Sequence, residues 1–196
     1  MTPFAAGALL GFHDGSMQAG DASALWRAIA DNHRQNGLLW DEEDLARRRH
    51  APDSEIAGNK RAIDRYNQQR NDAIERVDEQ LFEFFFGKAA AREKARLNSE
   101  TPGAMIDRLS ILSLKIRSMR AQTERTDVDR AHVDECMRKL KRLHEQRTDL
   151  AACLDQLLAD CAHGEARFKV YRQFKMYNDP ALNPAVYGES KRSTRS

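Results

Sequence analysis

Polar side chains interrupt an otherwise apolar helical pattern in the segment 56–84. The interrupting residues are Lys60, Asn67 and Arg70, and Asp64 and Asn71 lie one turn along the flank of the pattern. At steps of three and four residues, the apolar members of this pattern are Ile56, Ile63, Ile74, Val77, Leu81 and Phe84. An ammonium group, a guanidinium group and two amides on one helix face are suited to hold a phosphate or a carboxylate. Because a charged group that faces a core is costly unless it is paired or hydrated, the stripe predicts either a sealed polar network or the wall of a ligand pocket.

Side chains elsewhere in the chain would complete such a pocket. Arg47 supplies a second guanidinium group, and Asp107 and Arg108 lie on the first turns of a later helix, where they are expected to meet the patch across a helix interface. For Arg47 the structural alternative is an exposed helix face on which it pairs with neighbouring carboxylates such as that of Glu43.

Three residues are candidates for acid–base chemistry: Asp64, Glu43 and His33. A general base has to lie within hydrogen-bonding reach of its substrate, and spacing alone does not establish that reach. His33 also fits the description of a half-buried structural histidine. The three residues have neither H-E-x-x-H nor E-x-x-H spacing, so we expect no metal site. The chain carries no cofactor-binding motif, and we expect no cofactor.

Charge and composition restrict the classes of partner and the compartment. The chain carries a net charge of +2, which the basic tail alone supplies, and a neutral body argues against nucleic-acid binding. The apolar run Phe4–Phe12 is too short to span a bilayer and lacks the basic start of a signal peptide. Three cysteines without C-x-x-C spacing are typical of a reducing compartment. We therefore predict a cytoplasmic protein without a membrane span.

Helix start and stop signals divide most of the chain. Asp21 or Ser23 caps a helix that Gly37 is expected to interrupt, and Pro52 separates it from the helix of the polar stripe. The run Thr101-Pro102-Gly103 is the clearest start signal, because it combines an N-cap threonine with proline at the first helical position. The helix that follows it is predicted to be the most buried.

The longest predicted helix opens at Thr126 or Asp127 and ends at Gly164. Its apolar seam contains one polar residue, Arg147, for which Asp64 or Asp107 is the predicted partner. A last helix is predicted to carry the aromatic residues Phe168, Tyr171 and Phe174.

These segments predict an all-α, single-domain bundle of about five to six helices with long antiparallel helices. Residues 1–20 are expected to form a loosely ordered lead-in or a short helix over Ala5–Phe12. Residues 21–188 would form the helical domain, and residues 189–196 a disordered basic tail.

Several blocks of the sequence resemble one bacterial family. The blocks are Asn32-His33 with Asn36, Leu39 to Arg47, Lys60 to Asp72, Glu100 to Gly103 with Ile106 to Leu112, and Tyr171 to Asn178. Together they resemble the domain-of-unknown-function family numbered 4254 over about residues 22–187. This resemblance implies an all-helical cytoplasmic protein and an association with surface-polysaccharide synthesis.

Three functions are compatible with these observations. The first is an intracellular binding domain whose pocket between helices holds a small anionic metabolite, such as a phosphosugar or a nucleotide sugar. The expected ligand-binding residues are Lys60, Asn67, Arg70, Asn71, Arg47, Asp107 and Arg108. The second is an enzyme on the same pocket, and the third is a helical adaptor that docks on a partner enzyme or forms a homo-oligomer. The polar stripe favours the first.

Overall fold

The computed structural model of the chain describes residues 2–17, 23–87, 94–173, 179 and 181–185. Within these residues the elements are α1 (Ala6–His13), α2 (Ala24–Ala46), α3 (Asp53–Phe86), β1 (Arg96–Leu97), α4 (Pro102–Thr123), α5 (Arg130–His163) and β2 (Ala166–Arg167). The prediction of an all-α bundle is confirmed. The division into lead-in, domain and tail stays a prediction, and the tail lies outside the described residues.

Helix α2 is continuous, so the predicted interruption at Gly37 is wrong. Ser23 caps the helix as predicted, because its hydroxyl oxygen accepts a hydrogen bond from the Trp26 amide at 3.3 Å. A glycine inside a helix costs about 1 kcal/mol relative to alanine. The buried residues on either side of Gly37, Asn36 and Leu39, pack against the bundle and offset that cost.

The start of α4 follows the predicted chemistry. Thr101 accepts a hydrogen bond from the Ala104 amide at 3.2 Å, and Pro102 occupies the first turn. A carboxylate from α3 completes the cap, since Asp78 accepts a hydrogen bond from the Gly103 amide at 2.6 Å. The prediction that this helix is the most buried is confirmed, because ten of its residues between Pro102 and Ile116 are buried.

The two 34-residue helices differ from their predictions at several places. Ile63, Val77 and Leu81 of α3 are buried, but Phe84 is exposed. The buried face of the helix continues instead at Phe85 and Phe86, which pack against the core. Lys60 is also exposed. Helix α5 begins three residues later than the nearer predicted start, because Asp129 is its N-cap and accepts a hydrogen bond from the His132 amide. It ends as predicted at Gly164, which has a left-handed φ of 72°.

The predicted last helix is wrong. The segment after Gly164 is extended, and its strand β2 pairs in parallel with β1. Arg96 donates a backbone hydrogen bond to Glu165 at 2.9 Å, and Asn98 donates one to Arg167 at 2.8 Å. Phe168 lies 2% exposed against the rings of α3, so the aromatic residues here anchor an extended chain. Phe174 lies outside the described residues.

Helix α4 is the centre of the bundle. It runs antiparallel to α5 and α3 and parallel to α2. The hydrogen bonds and ion pairs across each interface show these directions, because they join residues in descending order on α3 and in ascending order on α2. Helices α2 and α3 form an antiparallel pair. Helix α1 lies on α5 and α4 and contributes Leu9, which is fully buried. The long antiparallel helices are therefore as predicted.

Candidate functional site

A sealed polar network fills the interface between α2 and α4. The Asp107 carboxylate is its hub: one oxygen accepts hydrogen bonds from the amides of Asn32 at 2.8 Å and Asn36 at 3.0 Å. Asn36 also donates to the Ser110 hydroxyl at 3.0 Å. All four residues are at least 94% buried. Buried polar groups of this kind have to be hydrogen-bonded, and these are.

The spacing of these residues explains how two helices build the network. Asn32 and Asn36 are four residues apart on α2, and Asp107 and Ser110 are three apart on α4, so each pair occupies one face of its helix. The parallel run of the two helices brings the faces into contact. The hydrogen bonds from the Asn32 and Asn36 amides to the Asp107 carboxylate fix the register of α2 on α4.

Arg70 of α3 connects this network to a groove that is open to solvent. Its Nε lies 3.6 Å from the Asp107 oxygen, which is beyond hydrogen-bonding distance. That Nε is buried and has no hydrogen-bond partner, and the Arg70 side chain remains 28% exposed. Arg70 and Asp107 thus form an ion pair, but the hydrogen bonds to that oxygen come from two asparagine amides. The exposed part of the Arg70 side chain is therefore available to a ligand in the groove.

The groove that Arg70 lines, which we call the Arg70 groove, has a volume of about 380 Å³ between α2, α3 and α4. Its lining residues are Asn36, Leu39, Trp40, Glu43, Asp44, Arg47, Asn67, Arg70, Ile111 and Leu114. Glu43 and Arg47 pair across one helix turn at 3.0 Å. The groove thus combines two guanidinium groups, two carboxylates, two amides and an aromatic ring.

A second groove, which we call the His33 groove, lies between α1, α2 and α4 and has a volume of about 310 Å³. His33 donates to or accepts from the Ser110 hydroxyl at 2.8 Å and stacks on His13 with ring centroids 4.7 Å apart. Burial lowers the pKa of His13 to about 3, and repulsion from the protonated form of His33 and from Arg147 adds to this effect. Burial and the nearby Arg117 also lower the pKa of His33. Both imidazoles are therefore neutral at pH 7.

The structure brings together only some of the predicted site residues. Arg47, Asn67 and Arg70 line the Arg70 groove together with Glu43, and Asp107 lies behind Arg70. Lys60 and Asp64 pair with each other on the exposed face of α3. This pair does not line the groove, because α3 turns that face towards solvent.

The remaining predicted residues lie elsewhere. Arg108 is on the opposite side of α4, where it pairs with Glu100. Asn71 is buried, and its side-chain oxygen has no hydrogen-bond partner. The predicted partners of Arg147 are wrong: its guanidinium group binds both oxygens of Asp14, at 2.7 and 2.8 Å. Asp14 follows α1, and no local pattern around Arg147 indicates that α1 packs there.

Sequence reasoning did not assign a role to Asn32, Asn36 or Ser110. Asn32 and Asn36 lie on the apolar side of α2 at a spacing of four, the same signal that identified the stripe of α3. Ser110 carries no such signal, because serine is common on both faces of helices. His13 also escaped notice, since its short helix has almost no amphipathic pattern.

Metal and membrane sites are not found in the described part of the chain. No group of three or more His, Cys, Asp or Glu residues among residues 2–17, 23–87 and 94–173 is arranged to hold a metal ion. None of the described helices is long and apolar enough to cross a membrane.

Comparison with known proteins identifies a family. The model of a family described as protein of unknown function (DUF4254) matches residues 26–170, which is most of the chain. Searches of curated proteins and of solved structures give no match. The matched segment contains α3 to α5 and all but the first two residues of α2, and hence the network, the Arg70 groove and His33.

Proposed function

The chain belongs to the DUF4254 family, and we propose that it binds a phosphosugar or a nucleotide sugar in the Arg70 groove. The observation that carries this proposal is the partly exposed position of the Arg70 side chain at the groove. Its guanidinium group lines an open groove, and its buried Nε has no hydrogen-bond partner. A ligand phosphate would supply acceptor oxygens to the exposed part of the guanidinium group, since arginine binds phosphate through parallel hydrogen bonds.

The rest of the groove favours a sugar attached to that phosphate over a simple anion. Glu43 and Asp44 would repel an isolated anion, but carboxylates accept hydrogen bonds from sugar hydroxyls. The amide of Asn67, which is not part of the buried network, can both donate and accept. Trp40 offers an aromatic surface for a sugar ring or a nucleobase. A ligand of this class agrees with a role accessory to surface-polysaccharide synthesis.

Two other functions stay alternatives to this proposal. Catalysis by Glu43 would need its carboxylate to leave Arg47, to which it is bound at 3.0 Å. Asp64 is outside the groove and is paired with Lys60, and His33 lines the other groove. An adaptor role would leave the Arg70 groove empty of small molecules, and that outcome is included in the test below.

The test is thermal unfolding of the full chain with glucose 6-phosphate and UDP-glucose, each compared with glucose alone. A bound ligand at one hundred times its dissociation constant stabilises the folded state by ~2.7 kcal/mol. For a chain of this size that corresponds to a rise in Tm of roughly 5–10 °C. We expect such a rise with at least one phosphorylated sugar and none with glucose.

The variant Arg70→Met should lose this rise, because methionine keeps the volume but donates no hydrogen bond. Arg61→Met is the matched control, since Arg61 is an exposed arginine on the same helix outside the groove. A wild-type chain that does not respond to either sugar, or an Arg70→Met variant that responds like wild type, would refute the proposal. The first outcome would favour the alternative function, a helical adaptor.

A further inference from the structure

The His33 groove carries an excess of positive charge. Arg117 and Arg120 line it from α4, and neither forms an ion pair with any residue in the described part of the chain. The one carboxylate that lines the groove, Asp14, is held by two hydrogen bonds from Arg147. Because that pair is neutral, the two remaining guanidinium groups give the groove a charge of about +2.

A buried donor faces the same groove without a partner. His13 lines the groove and is 7% exposed, and both of its ring nitrogens are buried without a hydrogen bond. A neutral imidazole carries one N–H donor and one acceptor nitrogen. Buried polar groups in folded proteins are nearly always satisfied by protein, water or ligand, so His13 takes a partner that no other side chain in the described part of the chain supplies.

The neighbouring imidazole has a fixed orientation. His33 is held on one side by Ser110, at 2.8 Å, and on its face by the ring of His13. The lowered pKa of each histidine has burial as its main cause, and Arg117 and Arg147 contribute. Arg147 is neutralised by Asp14, whereas Arg117 acts on the groove as an unneutralised charge, for which an anion would be the natural counterion.

We propose that the His33 groove is a second site, which binds a phosphate group through Arg117 and Arg120 with His13 as a hydrogen-bond donor. A phosphate dianion matches the charge of two free guanidinium groups, whereas a monocarboxylate neutralises only one. The groove volume of about 310 Å³ leaves room for an organic group on that phosphate. This site shares no arginine with the Arg70 groove, so the two proposed sites can be tested independently.

The test is titration of the full chain with inorganic phosphate at low ionic strength, followed by calorimetry and by the NMR signals of the histidine rings. We expect saturable binding, and the signals of His13 and His33 should shift together. Acetate should bind at least about tenfold more weakly. Glycerol 3-phosphate, a phosphate monoester, shows whether the natural ligand is a metabolite or the free ion. If it binds more tightly than inorganic phosphate, the site takes a phosphorylated metabolite. If it binds more weakly, the site takes the free phosphate ion.

Two variants and a control make the test specific. Replacing both arginines, Arg117→Gln with Arg120→Gln, should weaken phosphate binding at least about tenfold, which corresponds to ~1.4 kcal/mol. His13→Phe keeps the ring stack but removes the donor, and it should weaken binding without lowering Tm. Arg138→Gln removes one positive charge from an exposed position on α5, where Arg138 pairs with Glu135, and should bind like wild type.

The proposal is overturned by either of two results. One is a wild-type chain that does not bind phosphate up to ~10 mM. The other is a double variant that binds as well as Arg138→Gln. Arg70→Met should retain phosphate binding here, so failure of this site is distinguishable from failure of the Arg70 groove.

Discussion

Removal of the Asp107 carboxylate should destabilise the protein more than removal of any exposed carboxylate. In Asp107→Ala the amide donors of Asn32 and Asn36 lose a charged acceptor at 2.8 and 3.0 Å inside a sealed interface. A hydrogen bond to a charged group contributes ~1.5–3 kcal/mol. Arg70, 3.6 Å away, loses its only nearby countercharge in the network. Since these losses overlap, we expect a total of about 3–5 kcal/mol.

The assay is urea unfolding followed by circular dichroism, with the free energy of unfolding extrapolated to water. Asp64→Ala is the control, because Asp64 forms an exposed ion pair with Lys60, and such a pair contributes ~0–1 kcal/mol. Asp107→Asn should fall between the two, since it keeps an acceptor oxygen but loses the charge. If Asp107→Ala is within ~1 kcal/mol of wild type, the carboxylate is not the hub of the interface.

Three further predictions concern the core and the start of α4. Gly103→Ala should cost ~1–3 kcal/mol in urea unfolding, because a Cβ at Gly103 would lie 2.7 Å from both the Asp78 carboxylate and the Ile74 carbonyl; an unchanged stability would contradict this contact. Burial raises the pKa of Asp78 to about 6, so its contribution to stability is complete below about pH 4 and is lost as the pH rises through 6. Relative to Asp78→Asn, the wild type should lose ~2–3 kcal/mol between pH 4 and 7, and parallel stability curves for the two proteins would refute it. Leu154→Ala should cost ~2–5 kcal/mol, since Leu154 is fully buried, whereas Arg108→Ala at the surface should stay within ~0.5 kcal/mol; equal losses would contradict the assigned seam of α5.

Local chemistry allowed several of the helix boundaries to be predicted. The caps at Ser23 and Thr101 and the glycine at the end of α5 act within one helix turn, so the residues that determine them are adjacent in the sequence. Gly37 shows the limit of this reasoning. Its intrinsic cost is small, and tertiary packing of α2 exceeds it.

Partners across the fold could not be predicted in the same way. Arg147 pairs with Asp14, 133 residues away, and no spacing within α5 specifies that contact. For the candidate site, the stripe of α3 indicated Arg70 and Asn67 correctly as residues near a polar interface, but it included Lys60, which lies at its edge. A helix stripe gives the direction of a side chain only to within about one residue position, and that uncertainty separates a lining residue from a solvated one.

The pairing of β1 with β2 has a consequence for the order of folding. The two strands are about seventy residues apart in sequence, so closing that loop from an unfolded chain carries a large entropy cost. Formation of the antiparallel α4–α5 hairpin, whose contacts are local around its turn, brings the strand residues together and removes most of that cost. The strand pairing should therefore form after the hairpin and open before it. In hydrogen exchange, the amides of Arg96 and Asn98 would then exchange by local opening, faster than the core amides of α4.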